Sequence, residues 1–188
     1  TLAESVDLAG SLTRSRTLSP MNTQRPCASG EPLAFLLTWT TYGTWLPGDD
    51  RGWRHKGQPE VQAPNPRLVD AAASRMMEPS FTLSPDHRPL VEDVIRKHCL
   101  IRRWTLHAVN ARSNHVHVVV TAPRRHPRVV REQFMAWCTR RLKEVVPHRE
   151  NFWTERGSDR WINRPDDLDA AILYVLEGQD RKAGIETT

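Results

Sequence analysis

Two histidines separated by one residue, His115 and His117, interrupt a valine-rich run and are the first residues of this chain that could do chemistry. Side chains two positions apart on a strand point to the same side, roughly 6.6 Å apart. Both imidazoles could therefore hold one divalent ion while Val116 and Val118 face a core. Such an ion needs at least one further protein ligand or a substrate oxygen. Histidines that bind nothing on a surface strand are the plain alternative.

A tyrosine in the last predicted helix could supply a nucleophile. Tyr174 falls roughly 130° from the centre of that helix's apolar stripe, so its hydroxyl is not expected in the core. Glu177 shares its side of the helix, and Gln179 follows the helix-weakening Gly178, so either could complete the ligands of an ion. These groups suit attack by a phenol oxygen on a phosphodiester that a metal polarises. An ordinary tyrosine at the rim of a surface helix is the alternative.

Positive charge is concentrated in one part of the chain. The net charge is +5, and residues 124–149 hold eight Lys or Arg against only Glu132 and Glu144. A helix spanning most of this segment would carry a basic side, which is either a solvated face or a surface that follows nucleic-acid phosphates.

Composition narrows the class of protein. Only 38% of the 188 residues are hydrophobic and no apolar run is long enough to span a membrane, so we expect a soluble protein with no membrane partner. Three cysteines, Cys27, Cys99 and Cys138, lack Cys-x-x-Cys spacing. An odd number at such spacings favours neither a disulfide framework nor a zinc knuckle, and is consistent with the cytoplasm.

The hydrophobic pattern predicts one domain over residues 31–188 after a disordered extension over residues 1–30. A short helix is expected around residues 69–77, inside an irregular segment. The main elements alternate as strand, helix, strand, strand, helix, strand, helix, at residues 33–41, 89–103, 104–110, 115–121, 127–146, 152–162 and from 165 onward. The last helix is expected to bury Leu168, Ala171, Ile172, Val175 and Leu176. This order predicts an α+β fold, a ferredoxin-like antiparallel sheet with helices packed on one face.

Four blocks of sequence, in this order, resemble the HUH single-tyrosine transposases, and most closely the REP-associated tyrosine transposases. They are LTWTTYGTWLPGD at 37–49, NHVH at 114–117, WTERGSDRWI at 153–162 and YVLEGQ at 174–179. The resemblance implies a metal-dependent enzyme that cleaves and joins single-stranded DNA next to hairpins or repeats through a 5′-phosphotyrosine. Tyr174 would be the nucleophile, and His115 and His117 would bind Mg²⁺ or Mn²⁺.

The third metal ligand departs from the family's pattern. The family usually takes it from a polar side chain four residues after the tyrosine, where this chain has Gly178. The family pattern then favours Gln179, whereas helix geometry favours Glu177. The resemblance also makes the basic segment a predicted contact for DNA phosphates, through Arg124, Arg128, Arg131, Arg140 and Lys143.

Two other functions fit the same residues. A catalytically inactive, domesticated protein would bind hairpin DNA without cleaving it, as the departure at Gly178 would favour. A metal-dependent phosphodiesterase would hydrolyse nucleotides or RNA without Tyr174. The sequence leaves open whether the chain is a monomer or a homodimer.

Overall fold

The computed structural model describes residues 30–53 and 60–177, which form four strands and four helices. The expected disorder of residues 1–30 falls, except for Gly30, outside the described residues, as does Gln179. The strands are β1 (Ala34–Thr41), β2 (Thr105–Ala111), β3 (His115–Thr121) and β4 (Trp153–Ile162). The helices are α1 (Pro66–Ala73), α2 (His87–Arg102), α3 (Pro127–Val145) and α4 (Pro165–Leu176). The predicted order of elements and the α+β class are confirmed.

Helix α1 begins and ends a few residues earlier in the chain than the predicted helix around residues 69–77. It begins at Pro66, and the Asn65 side chain accepts a hydrogen bond from the Leu68 backbone N–H at 3.2 Å. Asparagine at the N-cap followed by proline in the first turn is a strong start signal for a helix. The cap therefore determines where α1 begins.

The strands form one sheet in the order β2-β3-β1-β4, with every neighbouring pair antiparallel. Strands β3 and β1 occupy its centre. Their register places Thr38 opposite His117 and Thr40 opposite His115. Next to the first of these pairs, Asn110 on β2 faces His117 and Ser158 on β4 faces Thr38. One row of polar residues thus crosses all four strands.

Alternate residues of the strands enter two separate cores. Phe35, Leu37 and Trp39 of β1 pack in one core with residues of α2 and α3, such as Ile95 and Phe134. Ala34 and Leu36 of β1 belong to a smaller second core, which also contains Ala108, Val119, Ile162, Ala171 and Val175. The predicted placement of helices on one face holds for α2 and α3, but α4 covers the opposite face. The sheet separates the side that carries α3 from the side that carries α4.

A buried ion pair joins α3 to β4. The guanidinium of Arg131, whose side chain is 5% exposed, donates to Asp159 at 2.6 and 3.1 Å. Gly157 leaves room for it, since a Cβ there would lie 2.9 Å from Arg131 and 2.4 Å from the Thr38 carbonyl oxygen. Paired guanidinium and carboxylate groups in this bidentate geometry compensate for part of their lost hydration.

Two further sequence expectations concern membranes and cysteines. No helix within residues 30–53 and 60–177 has both the length and the hydropathy to cross a bilayer. Cys99 and Cys138 are buried free thiols, and burial raises the pKa of Cys99 to about 12. These two cysteines are therefore packing residues that stay protonated at neutral pH.

Replacement of Asp159 by alanine is expected to lower the free energy of unfolding by about 3 kcal/mol, because the Arg131 charge would stay buried without its partner. Urea denaturation measures the change. The matched control is Glu132→Ala, which removes the partner of the exposed Arg128 and should leave the free energy of unfolding almost unchanged. Equal losses in the two variants would contradict the role given to burial.

Candidate active site

The two histidines lie side by side on the face of the sheet that α4 covers. Val116 and Val118, fully buried, point into the core beneath α2 and α3, so the alternation of β3 turns His115 and His117 to the other side. Their ring centroids are 4.6 Å apart. His117 is 5% exposed, whereas His115 is the first residue of β3 and is half-buried.

An oxygen contacts the Nδ1 atom of each histidine. His115 Nδ1 lies 2.7 Å from Asn114 Oδ1, which can only accept, so this nitrogen is the donor. His117 Nδ1 lies 2.7 Å from the Thr38 hydroxyl of the neighbouring strand. Contacts of this kind orient an imidazole and leave Nε2 as the nitrogen that could coordinate a metal.

Helix α4 brings Tyr174 to the histidine pair. The Tyr174 and His117 ring centroids are 5.4 Å apart at an interplanar angle of 70°. The Asn110 side chain donates to the Val175 carbonyl oxygen at 2.9 Å and fixes this part of α4 above β2. Residues far apart in sequence thus form one cluster of two imidazoles and a phenol.

Helix α4 turns most of its predicted stripe toward the second core, where Leu168 and Ile172 are partly buried. Ala171 and Val175 are its fully buried residues, whereas Leu176, predicted to be in the stripe, is 50% exposed. At 100° per residue, Tyr174 lies roughly 80° from the Ala171–Val175 direction, so its ring packs partly against the second core. The small Ala171 side chain allows this side of the helix to approach the sheet.

The surroundings of His117 keep it neutral. Burial, with smaller contributions from His115, Arg112 and Arg160, lowers its pKa from the ordinary value of 6.5 to about 3. A neutral imidazole is the form that coordinates metals, and two imidazoles with oriented Nδ1 atoms fit a divalent ion. The donor set therefore suits a metal but supplies only two of its ligands.

No third ligand of the histidine, cysteine or carboxylate type is provided by the described residues. Within residues 30–53 and 60–177, no third His, Cys, Asp or Glu joins the histidines in a group that could hold an ion. Glu177 is exposed at the C-cap of α4, so the position that helix geometry favoured does not complete such a group. Gln179, the position that the family pattern favoured, lies outside the described residues.

The basic residues of α3 lie on the other side of the sheet from this cluster. Arg128 and Arg140 are exposed there, and Lys143 contacts Glu150 at 2.5 Å. The prediction that Arg131 contacts DNA phosphates is wrong, because its guanidinium is buried against Asp159. Arg124 lies outside the helix, exposed in the turn between β3 and α3. The predicted phosphate contacts are therefore not next to Tyr174.

Sequence reasoning missed two arginines and a threonine near the histidines. Arg112 follows β2 and Arg160 lies on β4, and both positive charges act on His117. Arg160 is half-buried and forms no ion pair with another described residue. Thr38 is a third such residue, since its hydroxyl contacts His117. The register of β1 against β3 brings Thr38 to His117. The only sequence signal that Thr38 and Arg160 share a face with the histidines was the alternation of residues along β1 and β4.

Several solved structures are similar to this chain, and two of them are transposases. No protein-family model and no curated protein matches the sequence. A candidate transposase from Deinococcus radiodurans has a TM-score of 0.42 and 15% identity over 83% of this chain and 97% of its own. A REP-associated tyrosine transposase bound to a REP hairpin has a TM-score of 0.46 and 11% identity over 81% of this chain and 70% of its own. Likenesses at these values do not assign a function.

Acid should destabilise the protein through His117. Because its pKa is about 3 in the folded chain and near 6.5 in the unfolded chain, protonation favours unfolding. Neutral His117 makes its full contribution to the free energy of unfolding above about pH 6.5. That contribution is lost as the pH falls toward 3, by at most about 1.4 kcal/mol per pH unit. Urea denaturation between pH 7 and 4 with a chelator present measures this. His117→Gln should show a shallower decline, and the exposed His148→Gln should match the unchanged protein.

Removal of the Thr38 hydroxyl is expected to weaken metal binding, because His117 would lose the contact that orients it. Thr38→Val should reduce the affinity for Mn²⁺ by on the order of tenfold, as measured by electron paramagnetic resonance of the free ion. Thr40→Val is the control, since Thr40 lies on the same strand and donates to Thr154 rather than to a histidine. Equal affinities in the two variants would contradict a positioning role for Thr38.

Proposed function

We propose that this chain is a single-stranded DNA endonuclease and strand transferase that uses Tyr174 as its nucleophile. The observation that carries the proposal is the packing of the Tyr174 ring, from α4, 5.4 Å from the ring of His117 on β3. A phenol next to two imidazoles suits transfer of a phosphodiester to tyrosine. The four sequence blocks that resemble HUH single-tyrosine transposases support the same chemistry.

The reaction exchanges one phosphate ester for another. Tyr174 Oη forms a bond to phosphorus, the bond from phosphorus to O3′ breaks, and the DNA strand stays attached through a 5′-phosphotyrosine. The phenolic proton passes to solvent, and the released oxygen takes up a proton to become a free 3′-hydroxyl. Attack of a 3′-hydroxyl on the phosphotyrosine reverses these steps and joins strands. A phenol with an ordinary pKa near 10 is a weak nucleophile, so the surrounding charge must stabilise the transition state.

His115 and His117 would hold a divalent ion such as Mg²⁺ or Mn²⁺ through their Nε2 atoms. When bound, the ion would polarise the scissile phosphate. Asn114 and Thr38 orient the two imidazoles, and the low pKa of His117 makes it a ligand rather than a proton carrier. The remaining ligands would come from DNA oxygens or from the chain beyond Glu177.

Positive charge on the same face would draw DNA to the nucleophile. Arg160 on β4 has no carboxylate partner among the described residues, and Arg112 lies at the opposite edge of the sheet. Guanidinium groups bind phosphate oxygens through two parallel hydrogen bonds. These two arginines, rather than those of α3, are the residues best placed to hold the scissile phosphate.

A protein that binds hairpin DNA without cleaving it is the second candidate. The observation that favours it is the absence of a third His, Cys, Asp or Glu beside the histidines within the described residues. Such a protein would use the same surface and would form no covalent product.

Covalent capture of DNA tests the proposed reaction. The protein is mixed with single-stranded oligonucleotides from the repeats that flank its gene, with Mn²⁺ or Mg²⁺, and separated on a denaturing gel. We expect a protein–DNA adduct that Tyr174→Phe abolishes and that His115→Ala reduces on the order of tenfold or more. The matched control is Tyr42→Phe, which removes the other phenol hydroxyl, an acceptor for the Met77 backbone N–H at 3.0 Å.

The outcomes separate the candidates. A mobility shift on a native gel without any adduct would replace the proposed reaction by binding alone. Adduct formation that persists in Tyr174→Phe would assign the nucleophile to another residue. Hydrolysis of DNA that is insensitive to Tyr174→Phe would indicate a phosphodiesterase.

A further inference from the structure

A cavity of about 250 Å³ lies at the end of the sheet where β1 begins and β3 and β4 end. We call it the end pocket. Its walls are residues 30–32, Phe35, Ala122, Pro123, Arg124, Arg125 and Trp161. Two hydrogen bonds join Leu33, just before β1, to the ends of β3 and β4. The Leu33 N–H donates to the Ile162 carbonyl at 2.8 Å, and the Thr121 hydroxyl donates to the Leu33 carbonyl.

Aromatic rings form one side of the end pocket. The centroids of Phe35 and Trp161 are 5.1 Å apart with their planes at 87°, and His126 meets Trp161 edge-on at 5.8 Å. Phe35 is buried, whereas Trp161 is half-buried and held on two sides by these rings. A tryptophan fixed in this way offers a flat apolar surface that is already ordered before a ligand arrives.

Two adjacent guanidinium groups stand at the rim. Arg124 and Arg125 are exposed, and neither side chain has a hydrogen bond or an ion pair with another described residue. Their turn is closed by the Arg125 N–H, which donates to the Ala122 carbonyl at 3.3 Å, and Arg124 has a positive φ of 58°. Glu31 is the one acidic residue that lines the pocket. Two positive charges thus face a flat apolar wall.

We propose that the end pocket binds one nucleotide of single-stranded DNA, with the base against Trp161 and a phosphate at Arg124 and Arg125. The inference rests on the proposed function, since it concerns the same DNA. Stacking on an aromatic ring together with arginine at the backbone is how proteins hold unpaired nucleotides. A phosphate without a base would leave the aromatic wall unused, and an apolar ligand would leave two arginines unpaired.

The end pocket is distinct from the candidate active site. It lies five residues along β3 from His117, about 16 Å on an extended strand. Phe35 points into the core beneath α2 and α3, away from the face that carries Tyr174. The bound nucleotide would therefore lie away from the scissile phosphate and would fix the position of the strand relative to the cleavage site.

Binding of a fluorescent single-stranded oligonucleotide tests the end pocket, with every protein carrying Tyr174→Phe so that no strand is cleaved. Arg124→Gly removes a charge and suits the positive φ, and Arg125→Gln removes the second charge. The double variant should bind on the order of tenfold more weakly, with a salt slope shallower by about 1.4 for two lost phosphate contacts. The control is Arg103→Gly, which removes an arginine that also has a positive φ but lies outside the pocket.

Photocrosslinking locates the base. Oligonucleotides with 5-iododeoxyuridine at successive positions should crosslink to the peptide that contains Trp161 or Phe35 from one position, and the double variant should lose this crosslink. Crosslinks only to other peptides, or an equal loss of affinity in Arg103→Gly, would overturn the proposal. If the double variant binds normally while the protein with native Tyr174 forms its adduct, the end pocket fails and the proposed function stands. Failure of every form to bind DNA would remove both.

Discussion

The pairing of β1 with β3 is the constraint on which the rest of the structure depends. Both strands are central and both faces of the sheet are covered, so each strand sends alternate residues into different cores. A shift of one residue would place His115 and His117 beneath α2 and α3 and would turn valines toward Tyr174. The cost of burying imidazoles among Phe134, Ile95 and Trp39 would oppose that shift. The same burial that stabilises the sheet therefore fixes the candidate active site.

The two faces of the sheet carry different kinds of positive charge. On the α4 face, Arg112 and Arg160 lie near the neutral His117, whereas α3 presents exposed arginines and the paired Lys143 on the opposite side. Between them, Arg131 is committed to Asp159 inside the structure. A single stretch of basic sequence is thus divided into a structural ion pair, surface charges and a turn at the end pocket. DNA that contacted both faces would have to pass around the end or the edge of the sheet.

Much of the fold could be predicted because periodicity and end signals are local. The valine-rich alternation of β3, the helical spacing in α2 and α3, and the proline with acidic residues that opens α4 all act within a few residues. The face that α4 covers could not be predicted this way, since helices on either side of a sheet have the same amphipathic pattern. The approach of Tyr174 to His117 also depended on which face of α4 packs against the sheet. The role of Arg131 likewise required knowing that Asp159 and Gly157 lie opposite it.

The sequence by itself determined which residues could do chemistry and that two of them share one side of a strand. Alternation guarantees that His115 and His117 point the same way, and four ordered blocks indicate a resemblance to single-tyrosine transposases. Only the tertiary structure decided what surrounds them: Thr38 from β1, Tyr174 from α4, and Arg112 and Arg160 from the edges. It also placed Trp161 beside Arg124 and Arg125. Spacing along the chain determines in which direction side chains point within one strand or helix. Contacts between elements depend instead on strand register and on which face each helix buries.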